Sequence, residues 1–130
     1  MINTSLYSYI NVLGAAADAG VIRNELLANN IANNDTPEYK RQDIDFTSAL
    51  KNAMKDVDED AGIGVKVREA LNHDLTGVIY TDHSELSYRL DGNNVDINTE
   101  NVELASNQIQ YQYLLKCISQ EFKDIQTVLK

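Results

Sequence analysis

The side chains that could carry acid–base or nucleophilic chemistry are concentrated late in the middle of the chain. Asp82, His83 and Ser84 are consecutive, and Glu85 and Asp96 follow them. A carboxylate pair drawn from Asp82, Glu85 and Asp96 would suit a wall-cleaving hydrolase. A nucleophilic triad, however, is defined by geometry in space and not by adjacency in sequence, and this segment has too few apolar residues to build a cleft. The sequence therefore predicts a protein that is not an enzyme.

Metal and redox chemistry have equally weak signals. The acidic run at residues 56–60 would suit a hard cation, but it lacks the glycine and the distal glutamate of an EF-hand, so a solvated loop is the better interpretation. His73 and His83 lie near carboxylates without any repeated ligand spacing. Cys117 is the single cysteine and reads as a small apolar filler. We expect no metal and no cofactor.

Composition limits the size of the core and the class of partner. The 130 residues suffice for one modest domain, but aromatic residues make up only 7 % and tryptophan is absent. An elongated helical protein that completes its core with other chains is favoured. The net charge of −9 argues against nucleic acid and against an anionic membrane surface. No window could cross a bilayer, so direct membrane insertion is not expected. The first base is Arg23, so a cleaved secretory signal is not expected either.

Residues 6–33 predict a long N-terminal helix. Its apolar stripe recurs at three- and four-residue steps, with small residues at 14–20 that would let another helix approach closely. The positions of this stripe are Ile10, Leu13, Ala17, Gly20, Asn24, Leu27 and Ile31.

A second long helix is predicted from Thr99, which resembles an N-cap with Glu100 and Glu103 in the first turn. A seven-residue apolar repeat continues almost to the end of the chain, which is typical of a coiled-coil seam. Its positions are Leu104, Gln108, Tyr111, Leu115, Ile118, Phe122, Ile125 and Leu129.

The middle segment contains weaker signals. Residues 41–55 predict a short amphipathic helix, capped by Asp45 or Thr47. Residues 65–67 and 78–80 resemble short strands. Residues 88–90 and 95–97 would form a β-hairpin around a turn, with a plain loop as the alternative. The turn residues are Asp91, Gly92, Asn93 and Asn94.

These patterns predict a mainly α fold. Long N- and C-terminal helices pack as an antiparallel coiled-coil-like pair around a polar, partly irregular middle that contains a small β-hairpin. As one structural unit, the chain divides into an N-terminal axial helix (1–34), a turn and variable middle segment (35–98) and a C-terminal coiled-coil helix (99–130).

Between the first helix and the middle segment lies a polar turn at residues 29–41. Its amide and carboxylate side chains compete with helical hydrogen bonds, and the only proline of the chain restricts the residue before it, so the helix must end here. An aromatic residue and two cations then follow, which we interpret as inter-subunit contacts. The candidate turn and contact residues are Asn29, Asn30, Asn33, Asp35, Thr36, Pro37, Tyr39, Lys40 and Arg41.

Two motifs in this chain carry a family resemblance. Asn-Asn-Ile-Ala-Asn at residues 29–33, followed by Asp-Thr-Pro, an aromatic residue and a base, resembles the N-terminal signature of bacterial flagellar rod and hook proteins. Leu-Asp-Gly-Asn-Asn-Val-Asp-Ile at residues 90–97 resembles its second half, as in the short proximal-rod proteins. Where the family usually has glycine, this chain has Glu38, which predicts that this residue avoids positive φ.

The resemblance implies a structural component of the proximal rod, the shaft that transmits motor torque, needed for flagellum assembly and motility. It implies partners: further copies of the chain, other rod proteins and the MS-ring or export-gate adaptor. It also implies a place in the basal body outside the inner membrane, reached by type III export without signal cleavage. A sister proximal-rod protein and a cytoplasmic coiled-coil export chaperone are the alternatives.

Overall fold

The computed structural model describes residues 4–55, 57–86 and 89–129. Tyr88, in the first predicted hairpin strand, Asp56, in the acidic run, and residues 1–3 and 130 of the predicted terminal units lie outside this description. The elements, in chain order, are α1 (Thr4–Ala32), β1 (Gln42–Asp45), α2 (Phe46–Ala53), α3 (Ile63–Ala70), β2 (Val78–Thr81) and α4 (Ile97–Val128).

Helices α1 and α4 pack against each other in antiparallel orientation. The Asn30 amide near the end of α1 contacts Glu100 near the start of α4, and Gly20, further back along α1, contacts Asn107, further along α4. Residues late in α1 therefore contact residues early in α4, and earlier residues of α1 contact later residues of α4. The predicted fold class is confirmed: two long terminal helices and a middle segment with a small antiparallel sheet.

Small residues on α1 allow α4 to approach it closely. Ala17 and Leu27 are buried, and a Cβ added at Gly20 would lie 3.6 Å from the Tyr111 ring. The Gly20 carbonyl also accepts a hydrogen bond from the Asn107 side chain at 2.9 Å. The narrow stretch of α1 therefore receives α4, while Ile10, Leu13 and Ile31 lie at its margin, partly exposed.

On α4 the predicted seam divides into two sets. The partly buried members are Leu104, Tyr111, Ile118 and Ile125. Leu115 and Phe122 are 45 % and 48 % exposed, and Leu129 is more exposed still. The most deeply buried positions of this helix are polar, Glu100 and Asn107.

The small sheet pairs β1 with β2, with Ile44 opposite Ile79 and Asp43 opposite Tyr80. The predicted position of the hairpin is therefore wrong: residues 89–96 contain no strand, and Ile97 is already helical. The Asp91–Gly92 bend is followed by side-chain hydrogen bonds rather than by a backbone ladder. A strand pair instead forms between segments far apart in sequence.

Two further predictions need correction at helix boundaries. The N-cap of α4 is Asp96, whose carboxylate accepts hydrogen bonds from the N–H groups of Asn98 and Thr99, so Thr99 is not the cap. Helix α2 begins only after β1, capped by Asp45, which was one of the two predicted caps.

The strand predicted from the alternation at residues 65–67 is also wrong, because these residues belong to helix α3. Val67 and Ala70 recur at helical spacing and are buried. That three-residue repeat decides the structure, since apolar alternation over three residues cannot distinguish a strand from one turn of helix.

The middle segment packs on α1 through small side chains. Ala53, Ala70 and Leu75 form one buried cluster, and Ala19, Leu26 and Ile44 form another. Gly77 is required at this junction, because a Cβ there would lie 2.6 Å from Ile44 Cγ1. None of the helices in the described ranges has an apolar stretch long enough to cross a membrane.

Candidate functional site

The loop at residues 33–41 leaves α1 through a series of tight turns. The Asn33 side-chain nitrogen donates to the Asn29 carbonyl at 2.8 Å, and the Asn33 backbone N–H donates to the same carbonyl at 3.1 Å. The Thr36 N–H donates to the Asn33 carbonyl, and Tyr39 N–H donates to the Thr36 carbonyl. Pro37 lies inside the last of these turns, where its fixed φ is compatible with the reversal.

The Asn93 side chain holds this loop from the other half of the chain. Its Nδ2 donates to the carbonyls of Asn33, Asn34 and Thr36 at 3.0, 3.0 and 2.7 Å. Its Oδ1 accepts from the Val95 N–H at 2.7 Å. A single buried amide therefore joins three carbonyl groups of the loop after α1 to the second loop.

Backbone hydrogen bonds complete the contact between the two loops. Glu38 N–H donates to the Asp91 carbonyl at 2.8 Å, and Asn94 N–H donates to the Tyr39 carbonyl at 3.3 Å. Arg89 binds the Asp91 carboxylate with two nitrogens, at 3.1 and 2.7 Å. Hydrogen bonds thus join the two loops that contain most of the two family motifs. We call these joined loops, residues 33–41 and 89–96, the clasp.

Backbone conformation inside the clasp contradicts one prediction. Glu38 has φ of +60°, the one positive φ at a non-glycine residue in the described part of the chain, and Gly92 facing it has φ of +73°. The expectation that glutamate would keep φ negative at this position is therefore wrong. The hydrogen bond from Glu38 to Asp91 and the turn before it hold the residue in a region that glycine adopts more readily.

The Asn30 side chain connects the clasp to the sheet and to α4. Its Oδ1 accepts from Gln42 N–H at 3.0 Å and from the Tyr39 hydroxyl at 3.2 Å. Its Nδ2 donates to the Gln42 carbonyl at 2.8 Å and to Glu100 Oε2 at 2.9 Å. All four hydrogen-bonding positions of the amide are used, so Asn30 binds Gln42 as a neighbouring strand would.

The Asn94 side chain binds backbone in the same way, at Arg41, the residue before β1. Its Oδ1 accepts from Arg41 N–H at 2.7 Å, and its Nδ2 donates to the carbonyls of Asp82 and Ser84 at 2.8 and 3.0 Å. The side-chain amide therefore lies between the segment that leads into β1 and the segment that follows β2. It attaches the second motif to both segments.

Five charged side chains form a continuous network beneath the clasp. Arg41 Nε donates to Glu100 Oε1 at 2.6 Å and Arg41 Nη2 to Asp43 Oδ2 at 3.2 Å. Arg23 binds both oxygens of Asp43 at 2.9 and 3.1 Å and reaches Glu103 at 2.9 Å. We call Arg23, Arg41, Asp43, Glu100 and Glu103 the charge network. It joins α1, β1 and α4 at one end of the helix pair.

Burial makes this network consequential for stability. Asn30 is 0 % and Glu100 1 % exposed, and within the described ranges every buried side-chain nitrogen and oxygen has a hydrogen-bond partner. A fully satisfied buried network specifies one arrangement of the elements that supply it, whereas loss of one partner leaves an uncompensated charge.

The pKa values reflect the pairing. Burial would raise the pKa of Asp43, but hydrogen bonds from Arg23 and from the Ile44 N–H outweigh it, and the pKa is lowered. Burial likewise opposes protonation of Arg41, and its bond to Glu100 outweighs that effect, so the Arg41 pKa is raised. The hydrogen bond to Asp43 raises the pKa of Arg23. All three groups therefore stay charged at neutral pH.

Several residues predicted as inter-subunit contacts are engaged inside the chain. The Tyr39 hydroxyl binds Asn30, and the Arg41 guanidinium belongs to the charge network. Lys40 is half-buried. The contact role of Tyr39, Lys40 and Arg41 remains a prediction. The predicted turn residues that are exposed are Asn29, Asp35, Thr36 and Pro37.

The charge network itself had not been predicted. Glu100 was interpreted only as a favourable charge for the helix dipole, although it lies four residues before Leu104 and so on the same face of α4. An acid on the inner face of a helix, with arginines elsewhere in the chain, is the signal that could have identified it. Arg23 had a similar signal, because it lies three residues after Gly20 and four before Leu27, on the same face of α1.

Groups suited to catalysis have structural partners here. A polar cleft of about 300 Å³ is lined by Asp82, Ser84, Asp96 and Glu100, among others. Asp82 accepts from Ser84 N–H, Asp96 caps α4, and Glu100 binds Arg41. In the residues that the structure describes, no group of three or more His, Cys, Asp or Glu side chains could hold a metal ion.

Comparison with known proteins identifies relatives over most of the chain. No protein-family model matches the sequence. The flagellar basal body rod protein FlgB of Escherichia coli K12 is 37 % identical over 114 residues, covering 83 % of each chain. FlgB of Bacillus subtilis 168 is 33 % identical over 135 residues, covering 96 % of each. FlgB of Cereibacter sphaeroides is 36 % identical over 128 residues, covering 91 % of this chain and 93 % of the relative.

These relatives come from distant bacteria, and each alignment is long enough to include both loops of the clasp and parts of both terminal helices. The identity exceeds 30 % over more than four fifths of each protein compared. The chain belongs to the FlgB family of flagellar basal body rod proteins.

Proposed function

We propose that this protein is a structural subunit of the flagellar basal body rod. The observation that carries the proposal is the asymmetric helix pair. Two helices of 29 and 32 residues are fixed at one end by the clasp and the charge network. Toward the other end α4 exposes large apolar side chains, among them Leu115 and Phe122. A unit of this kind is rigid by itself and incomplete without neighbours.

A shaft that transmits torque needs stiffness, and packed helices supply it without catalysis. At 1.5 Å per residue the two helices are about 44 and about 48 Å long. Subunits that join head to tail without closing a ring form a helical filament. The exposed face of α4 would then be buried against adjacent subunits, and the clasp would keep the two helices of each subunit in register under load.

The alternatives are less well supported. A sister proximal-rod protein is disfavoured because the relatives described above are FlgB proteins. A cytoplasmic export chaperone would need the helices alone, and it would have no use for two loop motifs that lock together. A wall-cleaving hydrolase would need free carboxylates, whereas Asp82 and Asp96 are occupied by Ser84 N–H and by the start of α4.

The finer features of the function form part of the same proposal. The rod position is proximal, the partners are further copies of this chain, other rod proteins and the MS-ring or export-gate adaptor, and the route is type III export with an uncleaved N-terminus. The net charge of −9 favours partner surfaces that carry compensating bases.

Charge substitutions on the exposed face of α4 test the proposal. Leu115→Asp and Phe122→Asp should leave the isolated chain folded, because both side chains are already half in solvent. They should abolish incorporation into the rod, where an unpaired buried carboxylate is strongly disfavoured. The measurements are swimming-halo diameter and the amount of protein in purified basal bodies, beside the exported fraction.

Gln112→Asp is the matched control, because it introduces the same charge at an exposed polar position of the same helix. We expect it to swim and to be incorporated. Normal swimming of both Leu115→Asp and Phe122→Asp would remove the helix face from the proposal. Recovery of the unsubstituted chain only in the cytoplasm would refute the rod assignment itself.

A further inference from the structure

The two outer edges of the small sheet differ in how they are covered. On β1, the N–H and C=O of Gln42 are both bonded by the Asn30 amide, and the Ile44 N–H donates to its neighbour Asp43 at 2.8 Å. Side chains therefore occupy the positions where a further strand would bind. The outer edge of β1 is closed.

The pairing register shows which groups of β2 face outward. In an antiparallel pair, residues alternate between those bonded to the partner strand and those facing away. Gln42 faces away from β2, so its partner Thr81 faces away from β1, and the same holds for Ile44 and Ile79. The N–H and C=O groups of Ile79 and Thr81 therefore point to the outer edge of β2. Within the described ranges the sheet has two strands only.

The side chains of β2 leave this edge unprotected. Val78, Ile79 and Tyr80 are 65 %, 53 % and 45 % exposed, and the strand has no charge and no proline. Proteins usually protect an exposed edge strand with such residues, because bare edges pair with other chains. A four-residue apolar edge with outward hydrogen-bonding groups is a binding surface for an extended segment.

We propose that the outer edge of β2 accepts an extended segment of another protein as a third strand, one with apolar residues at alternate positions and Lys or Arg at its flanks. Charge selects this partner. Asp74 precedes β2 and Glu85 follows it. Asp82, which also follows β2, lies 3.7 Å from the Arg41 guanidinium, so its charge is partly compensated. A second copy paired antiparallel would place the acidic residues after each strand beside the acidic residue before the other, and parallel pairing would place identical flanks together. Both arrangements juxtapose like charges.

This surface is independent of the helix face on which the rod proposal rests. It would add a directional, backbone-mediated contact from the middle segment. Loss of strand binding would leave the helical packing of the subunit unaffected. The strand-binding proposal can therefore be wrong while the rod proposal holds, and the reverse.

The test uses the full chain and a synthetic nine-residue peptide, in which three valines alternate with two threonines between two lysines at each end. We expect the peptide to slow amide hydrogen exchange at Ile79 and Thr81 at least tenfold. The same peptide with all five valines and threonines N-methylated, which keeps the charge but removes the backbone donors of the pairing segment, should not. A peptide with glutamates in place of the lysines should bind at least tenfold more weakly.

Ile79→Pro is the decisive variant, because it removes an outward N–H and no bond to β1. We expect it to abolish the slowing at Thr81 while the circular dichroism spectrum is unchanged. Ile79→Lys, which keeps the backbone and repels the probe, should weaken binding, whereas Ile63→Lys, at an exposed apolar position on α3, should not.

Equal effects of the methylated and unmethylated peptides, or peptide binding that survives Ile79→Pro, would overturn the proposal. Slowing at Ile79 and Thr81 that appears without peptide and grows with protein concentration would assign the edge to a second copy, and the charge argument would then be wrong.

Discussion

The end of the helix pair that carries the clasp buries polar side chains, whereas the opposite end leaves large apolar side chains in solvent. At the first end, Asn30 and Glu100 are almost completely enclosed and fully hydrogen-bonded. At the second, Tyr113 and Phe122 are exposed on α4. Both ends belong to the same two helices, so the difference lies in the side chains and not in the fold class.

The contrast follows from what each kind of interaction specifies. Hydrogen bonds and ion pairs are directional, and a buried set of them fixes one geometry. Apolar contacts are less specific about register and can be completed by any well-shaped neighbour. The clasp end therefore defines the shape of the chain, and the open end is the surface that other subunits would cover in the proposed rod.

Removing Arg41 should produce the largest loss of stability. Arg41→Met keeps the length of the side chain but leaves Glu100 buried beside no cation, a change that typically costs about 3–5 kcal/mol. Urea denaturation of the isolated chain measures it.

Lys40→Met is the control, since Lys40 precedes Arg41 outside the charge network, and we expect a change below about 0.5 kcal/mol. A loss of less than about 1 kcal/mol in Arg41→Met would mean that Glu100 is hydrated or protonated in solution. The clasp end would then differ little from the open end.

A smaller loss is expected when the clasp loses its central amide. Asn93→Ala removes the donor shared by the carbonyls of three loop residues and takes the acceptor from the buried Val95 N–H. A buried group left without its partner costs about 1–3 kcal/mol. The expected result is a lower urea midpoint and faster amide exchange in residues 33–41. Asn98→Ala, at an exposed position of α4, should leave both unchanged, and equal effects of the two substitutions would refute the special role of Asn93.

Acid should loosen the clasp end selectively. The pKa of Asp43 is lowered by the bonds from Arg23 and Ile44 N–H, in spite of burial. A group with a depressed folded-state pKa stabilises the fold above its unfolded value, near 4, and that contribution is lost as pH falls toward the folded pKa. Stability measured from pH 6 to pH 3 should fall most steeply below pH 4. Asp43→Asn should be less stable at pH 6 and show a shallower fall, and an unchanged slope would assign the acid sensitivity to other carboxylates.

Sequence reasoning predicted the two long helices and their antiparallel packing, but it missed the hydrogen-bonded contacts between other distant residues. The spacing of Leu104, Tyr111 and Ile118 was sufficient to predict α4, because a helical face is a local property. The pairing of β1 with β2 joins residues more than thirty positions apart. No local pattern encodes that contact.

The clasp illustrates the same limit within the candidate site. Both of its motifs were recognised as turns, since Asn, Asp, Gly and Pro have local conformational preferences. Their mutual contact depends on Asn93 reaching the carbonyls of the other loop. The side chain that makes that contact has the same identity as its neighbour Asn94, which binds elsewhere, so residue type alone could not assign the partners.

The smallest predicted effect concerns the backbone of the clasp. Glu38 adopts φ of +60°, a conformation that costs a residue with a Cβ about 1–2 kcal/mol. Glu38→Gly removes that cost but gives the unfolded chain more freedom, worth about 0.5–1 kcal/mol. The difference predicts stabilisation by roughly 0.5–1 kcal/mol, with motility retained. Glu38→Ala keeps the strained backbone and removes the side chain beyond Cβ, so it separates the backbone contribution from that of the side chain. If the glycine and alanine variants are destabilised equally, the Glu38 side chain stabilises the clasp and the backbone account is wrong. If only the glycine variant is more stable, the backbone at Glu38 is strained and the hydrogen bonds of the clasp maintain that strain. No such strain is needed at the open end.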